Sequence, residues 1–157
     1  MHFCLVDAVL ERSPERVVTV KNVSAAEEYL QDHFPGFPVL PGVMMLEALV
    51  QAGRVLLAER GEAGADRLVL GGVRALKYGR FVKPGETLRV EVAFAKAGAE
   101  PGTFELKGEG TVLRPGSSQH ADANAPPHPA HPAHDAHDAA VAVSGRLTLR
   151  PVRLGSI

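Results

Sequence analysis

The chain has 157 residues, 45% of them apolar and 5% aromatic with no Trp, and it balances 17 Lys plus Arg against 18 Asp plus Glu for a formal net charge of −1. That length suits one domain with a real core, and the charge balance argues against a general nucleic-acid binder, which carries a basic excess or stripe. A single cysteine, Cys4, excludes an intramolecular disulfide and a cysteine-rich zinc site. At the N-terminus Asp7 arrives early, and no basic segment is followed by a long apolar run, so no secretory leader is expected.

In chain order, Val17 to Val23 is a β-branched run that predicts a strand. Ser24-Ala25-Ala26-Glu27 has capping-box spacing and predicts a short helix ending near Gln31. A second, longer helix is predicted from near Gly42 to Gly61, with Gly61 as the residue just past its C-terminal cap. On a 3.6-residue period Glu47, Gln51, Arg54 and Ala58 form one narrow stripe, and nearly every other direction is apolar. Such a helix needs enclosure, yet the interrupted stretch Val43 to Ala58 is too short for a membrane span. Arg67 to Gly72 and Val73 to Val82 read as short strands, the second with imperfect alternation. The turn Lys83-Pro84-Gly85-Glu86 then opens a strand in which Leu88, Val90, Val92 and Phe94 share a face. Phe104 to Val112 and Val141 to Leu149 alternate in the same way and predict an antiparallel hairpin.

Between them, residues 115–139 hold five of the twelve prolines, five of the seven histidines and no Lys or Arg. This Ala/Pro/His/Asp composition buries too little apolar surface to offset the entropy of ordering, so a long loop is expected. About six strands and one enclosed helix predict an α+β fold. In it a curved antiparallel sheet wraps around that helix, in one domain spanning residues 1–157.

The chemistry concentrates between His33 and Gln51. Three prolines in seven residues, Pro35, Pro38 and Pro41, stiffen the approach to the long helix. The backbone N–H groups of Gly42, Val43 and Met44 are expected to lack helical partners at the positive end of its dipole. Gly42 has no side chain to keep a ligand atom away. Glu47, in apolar surroundings, would hold a proton near neutrality and act as a general acid, with Gln51 orienting it from the next turn. His33 suits a general base. Base, acid and carbonyl-binding helix end together fit proton removal beside a thioester or ketone, followed by loss of a β-leaving group. Taken singly, the same residues read as a structural histidine, a solvated helix stripe and, for Met44 and Met45, core or pocket wall.

The run His33-Phe34-Pro35-Gly36-Phe37-Pro38-Val39-Leu40-Pro41-Gly42-Val43, with Glu47-Ala48 and Gln51-Ala52, resembles the active-site signature of the β-hydroxyacyl–acyl carrier protein dehydratases of the FabZ/FabA type, which have the hotdog fold. Leu5-Val6-Asp7, Val20-Lys21-Asn22-Val23 and Phe81-Val82-Lys83-Pro84-Gly85-Glu86 extend the resemblance over residues 3 to about 113 and 140 to 150.

The resemblance implies that His33 and Glu47 are the catalytic pair, that Gly42, with Val43 beside it, polarises the thioester carbonyl, and that Gln51 supports the carboxylate. It implies elimination of water from a (3R)-3-hydroxyacyl chain to give the trans-2-enoyl thioester, in fatty-acid or related polyketide-type biosynthesis. No metal or organic cofactor is implied; the acyl group rides on the phosphopantetheine of acyl carrier protein. The two catalytic residues of one site are implied to come from different subunits, which makes a homodimer the minimum unit and admits a trimer of dimers. A cytoplasmic location is expected. A glutamate at position 47 resembles the FabZ branch, which implies dehydration without double-bond isomerisation.

Phe34, Phe37, Met44, Met45 and Leu46 are candidates for the walls of the acyl pocket. Arg80 and Lys83 are candidates for meeting an acidic carrier surface. The insertion at 115–139 departs from the family pattern, and its histidines, four of them spaced every three residues, carry no expected metal site. Two alternatives remain at this point: a hotdog acyl thioesterase, and a non-catalytic acyl-binding subunit.

Overall fold

A computed structural model of the chain describes residues 3–114 and 140–152; the predicted loop at 115–139 lies outside the described residues. Six strands, β1 (Ala8–Arg12), β2 (Arg16–Asn22), β3 (Val69–Tyr78), β4 (Thr87–Ala97), β5 (Phe104–Leu113) and β6 (Val141–Arg150), form one antiparallel sheet in the order β1-β2-β4-β5-β6-β3. One helix, α1 (Gly42–Glu59), packs across it against β2, β4, β5 and β6. As the alternation predicts, β5 and β6 pair directly from Phe104↔Leu149 to Thr111↔Val141.

Enclosure of α1 is written in its composition. Met45, Ala48, Leu49, Val50, Ala52, Gly53, Leu56 and Leu57 are all buried, and they meet Val17, Leu88, Val90, Leu106, Leu147 and Leu149 from the sheet. Each fully buried leucine contributes roughly 1.5–3 kcal/mol relative to exposure. The approach is close because glycines face it. A Cβ added at Gly53 would stand 2.7 Å from Leu106 Cδ1, and one at Gly108 would stand 3.1 Å from Leu49 Cδ2. The helix ends as expected: Gly61 has φ +80°, its N–H bonds Ala58 O, and Glu62 N–H bonds Leu57 O, the paired pattern of a Schellman cap.

Two expectations are corrected. The short helix from Ser24 to Gln31 is only a 3₁₀ turn, Glu28–Leu30. Ser24 Oγ accepts the Ala26 N–H, but Glu27 does not reach back to complete the box. Its carboxylate instead pairs at 2.7 Å with the ammonium of the buried Lys21, which also lies 3.5 Å from Asp7. A buried cation needs its counter-charges more than one helical turn needs a cap. The two short strands between Arg67 and Val82 are in fact one strand, Val69–Tyr78, with register shifts between Leu70 and Gly72 and between Arg74 and Lys77. Ala75 sits in the second shift with φ +52°, and this bulge is why the alternation reads imperfectly. Gly79 and Arg80 still donate their N–H groups to Ala142 O and Val141 O of β6, and beyond them Val82 O accepts the N–H of Leu40, tying this segment to the proline loop.

Candidate active site

The loop that enters α1 is held by its own backbone. Phe34 and Phe37 exchange N–H···O bonds of 3.1 and 2.9 Å around Gly36 at φ +74°, the His33–Phe34 peptide is cis, and Val39 N–H bonds His33 O at 3.0 Å. This frame fixes the imidazole. His33 Nδ1 lies 3.2 Å from Val39 O, and its ring stacks on Phe34 with centroids 4.2 Å apart. A carbonyl oxygen only accepts, so the pairing assigns the proton to Nδ1 and leaves the lone pair on Nε2.

His33 borders a cavity of about 220 Å³. Phe34, Val39, Leu40, Gly42 and Met45 close it from the loop and α1; Tyr78, Gly79, Arg80, Phe81 and Ala142 close it from the sheet edge. Pro41 delivers the chain into the helix with φ −56° and ψ 140°. Its carbonyl accepts the N–H groups of both Met44 (2.9 Å) and Met45 (3.1 Å). Met44, expected to be a free donor, is therefore engaged. The Gly42 and Val43 N–H groups have no acceptor among the described residues, and Val43 is 69% exposed. The Tyr78 ring packs onto Gly42: a Cβ there would stand 3.0 Å from Cε1 and 3.1 Å from Cζ.

Glu47 lies elsewhere. Five residues beyond Gly42, it points about 140° around the helix from that glycine, and it does not line the His33 cavity. Its surroundings are not apolar in the single chain. The side chain is 39% exposed, with Oε1 3.4 Å from Arg54 Nη1 and 3.1 Å from Gln51 Nε2. One chain thus brings together His33, Gly42, Phe34 and Met45 and leaves Glu47 and Gln51 on another face.

Among the other candidates, Met44 and Leu46 are half-buried against the core and do not line the cavity. Phe37 stands outside it, edge-to-face with Phe81 at 5.8 Å and under the Lys83 ammonium at 4.9 Å. Arg80 lines the cavity and pairs with Glu86 at 3.6 Å, while its N–H bonds Val141 O. Val39 and Leu40 of the loop, and at the sheet edge Tyr78, Gly79, Phe81 and Ala142, are wall residues that pattern reading missed. The bulge hid the strand register that aims those at the sheet edge, and only the aromatic pair Tyr78 and Phe81 flanking Arg80 offered a signal. A second hollow of about 680 Å³, between Ala63, Gly64, Arg67, Leu68, Pro151 and Val152, is lined by no acid–base pair among the described residues.

A single buried helix wrapped by six antiparallel strands, with an oriented imidazole beside its amide end, defines a hotdog-fold protein. Solved structures agree on the fold. The dehydratase heterocomplex ApeI:P from Xenorhabdus doucetiae matches with TM-score 0.59 at 15% identity, covering 92% of this chain and 96% of that one. The PaaI protein of E. coli matches with TM-score 0.58 at 11% identity, covering 90% and 80%. At the level of family, the FabA-like domain matches residues 1–113, and the chain belongs to this FabA-like family. It is similar to proteins named 3-hydroxyacyl-[acyl-carrier-protein] dehydratase FabZ. The one from Ruminiclostridium cellulolyticum is 37% identical over 126 residues, 78% of this chain and 89% of the relative. Those from Enterococcus faecalis (46% over 101 residues, 64% and 72%) and Oenococcus oeni (45% over 93 residues, 59% and 67%) are similar over shorter spans. Among the described residues, no helix is long and apolar enough to cross a membrane.

Proposed function

We propose that this chain is a 3-hydroxyacyl-[acyl-carrier-protein] dehydratase that eliminates water from a (3R)-3-hydroxyacyl thioester to give the trans-2-enoyl thioester, in fatty-acid or related polyketide-type biosynthesis. The observation that carries the reading is the His33 Nδ1 contact with Val39 O, which leaves the lone pair on Nε2 of an imidazole lining the same cavity as Gly42, whose N–H has no acceptor among the described residues. In the reaction Nε2 removes the α-proton. Charge developing on the thioester oxygen is met by the Gly42 N–H, with Val43 N–H beside it; one such donor is worth about 3–4 kcal/mol in a water-excluded site. Glu47 protonates the departing hydroxyl, and Gln51 holds its carboxyl in place. Phe34 and Met45 serve as acyl walls.

Glu47 acts from a second copy. Among the described residues β3 is an edge strand of the sheet, and Tyr78 at its end lines the cavity. Pairing of two copies along that edge brings each cavity toward the partner's helix, so a homodimer is the working unit and a trimer of dimers is compatible with it. The acyl group arrives on the phosphopantetheine of acyl carrier protein, with no further cofactor, and Arg80 and Lys83 at the mouth meet the carrier's acidic surface. The enzyme works in the cytoplasm.

The test is turnover of a 3-hydroxyacyl thioester, followed by enoyl absorbance and by free thiol. Enoyl formation without thiol release supports the dehydratase; thiol release supports the thioesterase alternative. His33→Ala abolishes turnover and Glu47→Gln strongly reduces it. Mixing the two variants restores about a quarter of parental activity if chains pair at random and each heterodimer keeps one intact site. Parental rates in both single variants would defeat the reading.

A further inference from the structure

We propose that the Tyr78 hydroxyl is a hydrogen-bond donor to the substrate's thioester carbonyl, completing with the Gly42 N–H a two-point oxyanion site. The inference rests on the dehydratase reading for its substrate. It adds a group that acts on the reacting oxygen itself.

The geometry comes from the packing of one ring on one glycine. Tyr78 Cζ, the carbon bearing the hydroxyl, lies 3.1 Å from the point a Gly42 Cβ would occupy, and Cε1 lies 3.0 Å from it. The hydroxyl, one bond beyond Cζ, is therefore within a few ångström of the helix end. Tyr78 and Gly42 border the same cavity as His33. Half the side chain is exposed, and the hydroxyl has no hydrogen-bond partner among the described residues. The hydroxyl is therefore open to a hydrogen-bond acceptor brought in by a ligand. Partial burial raises its pKa above the ordinary 10, so it stays protonated and donates throughout the neutral range. The other groups facing the cavity suit other tasks: Arg80 is engaged by Glu86, and Phe34, Val39, Leu40 and Met45 are apolar. The bulge around Ala75 sets the register of the last residues of β3, and so aims Tyr78.

Tyr78→Phe is the test, because it removes one oxygen and keeps the ring that packs on Gly42. For the crotonyl or 3-hydroxybutyryl thioester of pantetheine, kcat/KM is expected to fall about 10- to 100-fold. The carbonyl stretch of the bound crotonyl thioester, read by infrared difference spectroscopy, is expected to move to higher wavenumber as a donor is lost. A kcat/KM within twofold of the parent together with an unmoved stretch overturns the proposal. The infrared reading also separates the two ideas. If the parent binds crotonyl thioester but turns nothing over, the dehydratase reading fails, while the stretch still decides Tyr78. If the parent shows no binding of the thioester at all, the Tyr78 assignment falls too.

Discussion

Gln51 holds Glu47 and the N-terminal segment in one grip. Its Nε2 donates to Glu47 Oε1 at 3.1 Å and to Phe3 O at 2.9 Å, while its Oε1 accepts the Leu5 N–H at 2.8 Å. The carboxylate face of α1 is thereby tied to residues 46 to 48 positions away in the chain, with Leu5 itself fully buried. Gln51→Leu keeps the volume and loses all three bonds. It should cost about 1–3 kcal/mol of stability, mostly from the orphaned Leu5 N–H, and lower kcat more than it raises KM because Glu47 loses its orientation. Thermal melts and steady-state kinetics check both halves; a variant as stable and as active as the parent would refute the coupling.

Gly42→Ala sets a methyl 3.0 Å from the Tyr78 ring. The backbone at this position tolerates alanine, so the fold should survive, but the ring that lines the cavity must give way. Activity is expected to fall by about tenfold or more, as for other small misplacements of reacting groups. In a Tyr78→Ala background the further loss from Gly42→Ala should shrink, because the clash is gone; additive effects would contradict this.

Gly53→Ala reverses an ordinary rule. Alanine in a helix interior is favoured over glycine by about 1 kcal/mol. Here the new methyl would meet Leu106 Cδ1 at 2.7 Å and Leu149 Cδ1 at 3.1 Å, both fully buried and unable to swing aside. Overpacking of this kind costs about 1–3 kcal/mol, so urea denaturation should give a less stable variant. A gain in stability would show that α1 has room to move off the sheet.

Glu91 carries an acid-sensitive contribution. Partial burial pushes its carboxyl upward, but hydrogen bonds and charge from Arg16 and Arg89 outweigh this and hold it below the ordinary 4.5. A carboxyl lowered by folding stabilises above its unfolded value and loses that contribution as pH falls through the folded one. Melting temperature should therefore drop more steeply below pH 4.5 for the parent than for Glu91→Gln. Equal slopes would remove Glu91 from the account of acid unfolding.

Most of the fold was legible in the chain. Alternation in β4, β5 and β6 and the near-continuous apolar surface of α1 are direct records of a sheet wrapped around a helix, because each side chain's burial is decided by its own period. Ser24–Gln31 misled because Glu27 answers a distant charge, Lys21, which no local spacing reveals. β3 misled because a bulge shifts the period partway along. At the candidate site, His33 and Gly42 could be read from the proline-stiffened run, and the structure brings both to one cavity. Tyr78, Gly79, Phe81 and Ala142 could not, since their roles depend on how two sheet segments meet. The helical period already sets Arg54 on the stripe of Glu47 and Gln51, and in the single chain its Nη1 lies 3.4 Å from Glu47 Oε1, so the carboxylate's surroundings are polar there.

The tight seating of α1 at Gly53 and Gly108 has a mechanical consequence. With Leu106 in one notch and Leu49 in the other, the helix can neither roll nor slide along the sheet without a collision. Its amide end is consequently held against the end of β3 that bears Tyr78. Alignment of the reacting groups is maintained from roughly three turns away, by two missing methyl groups that take no part in the chemistry.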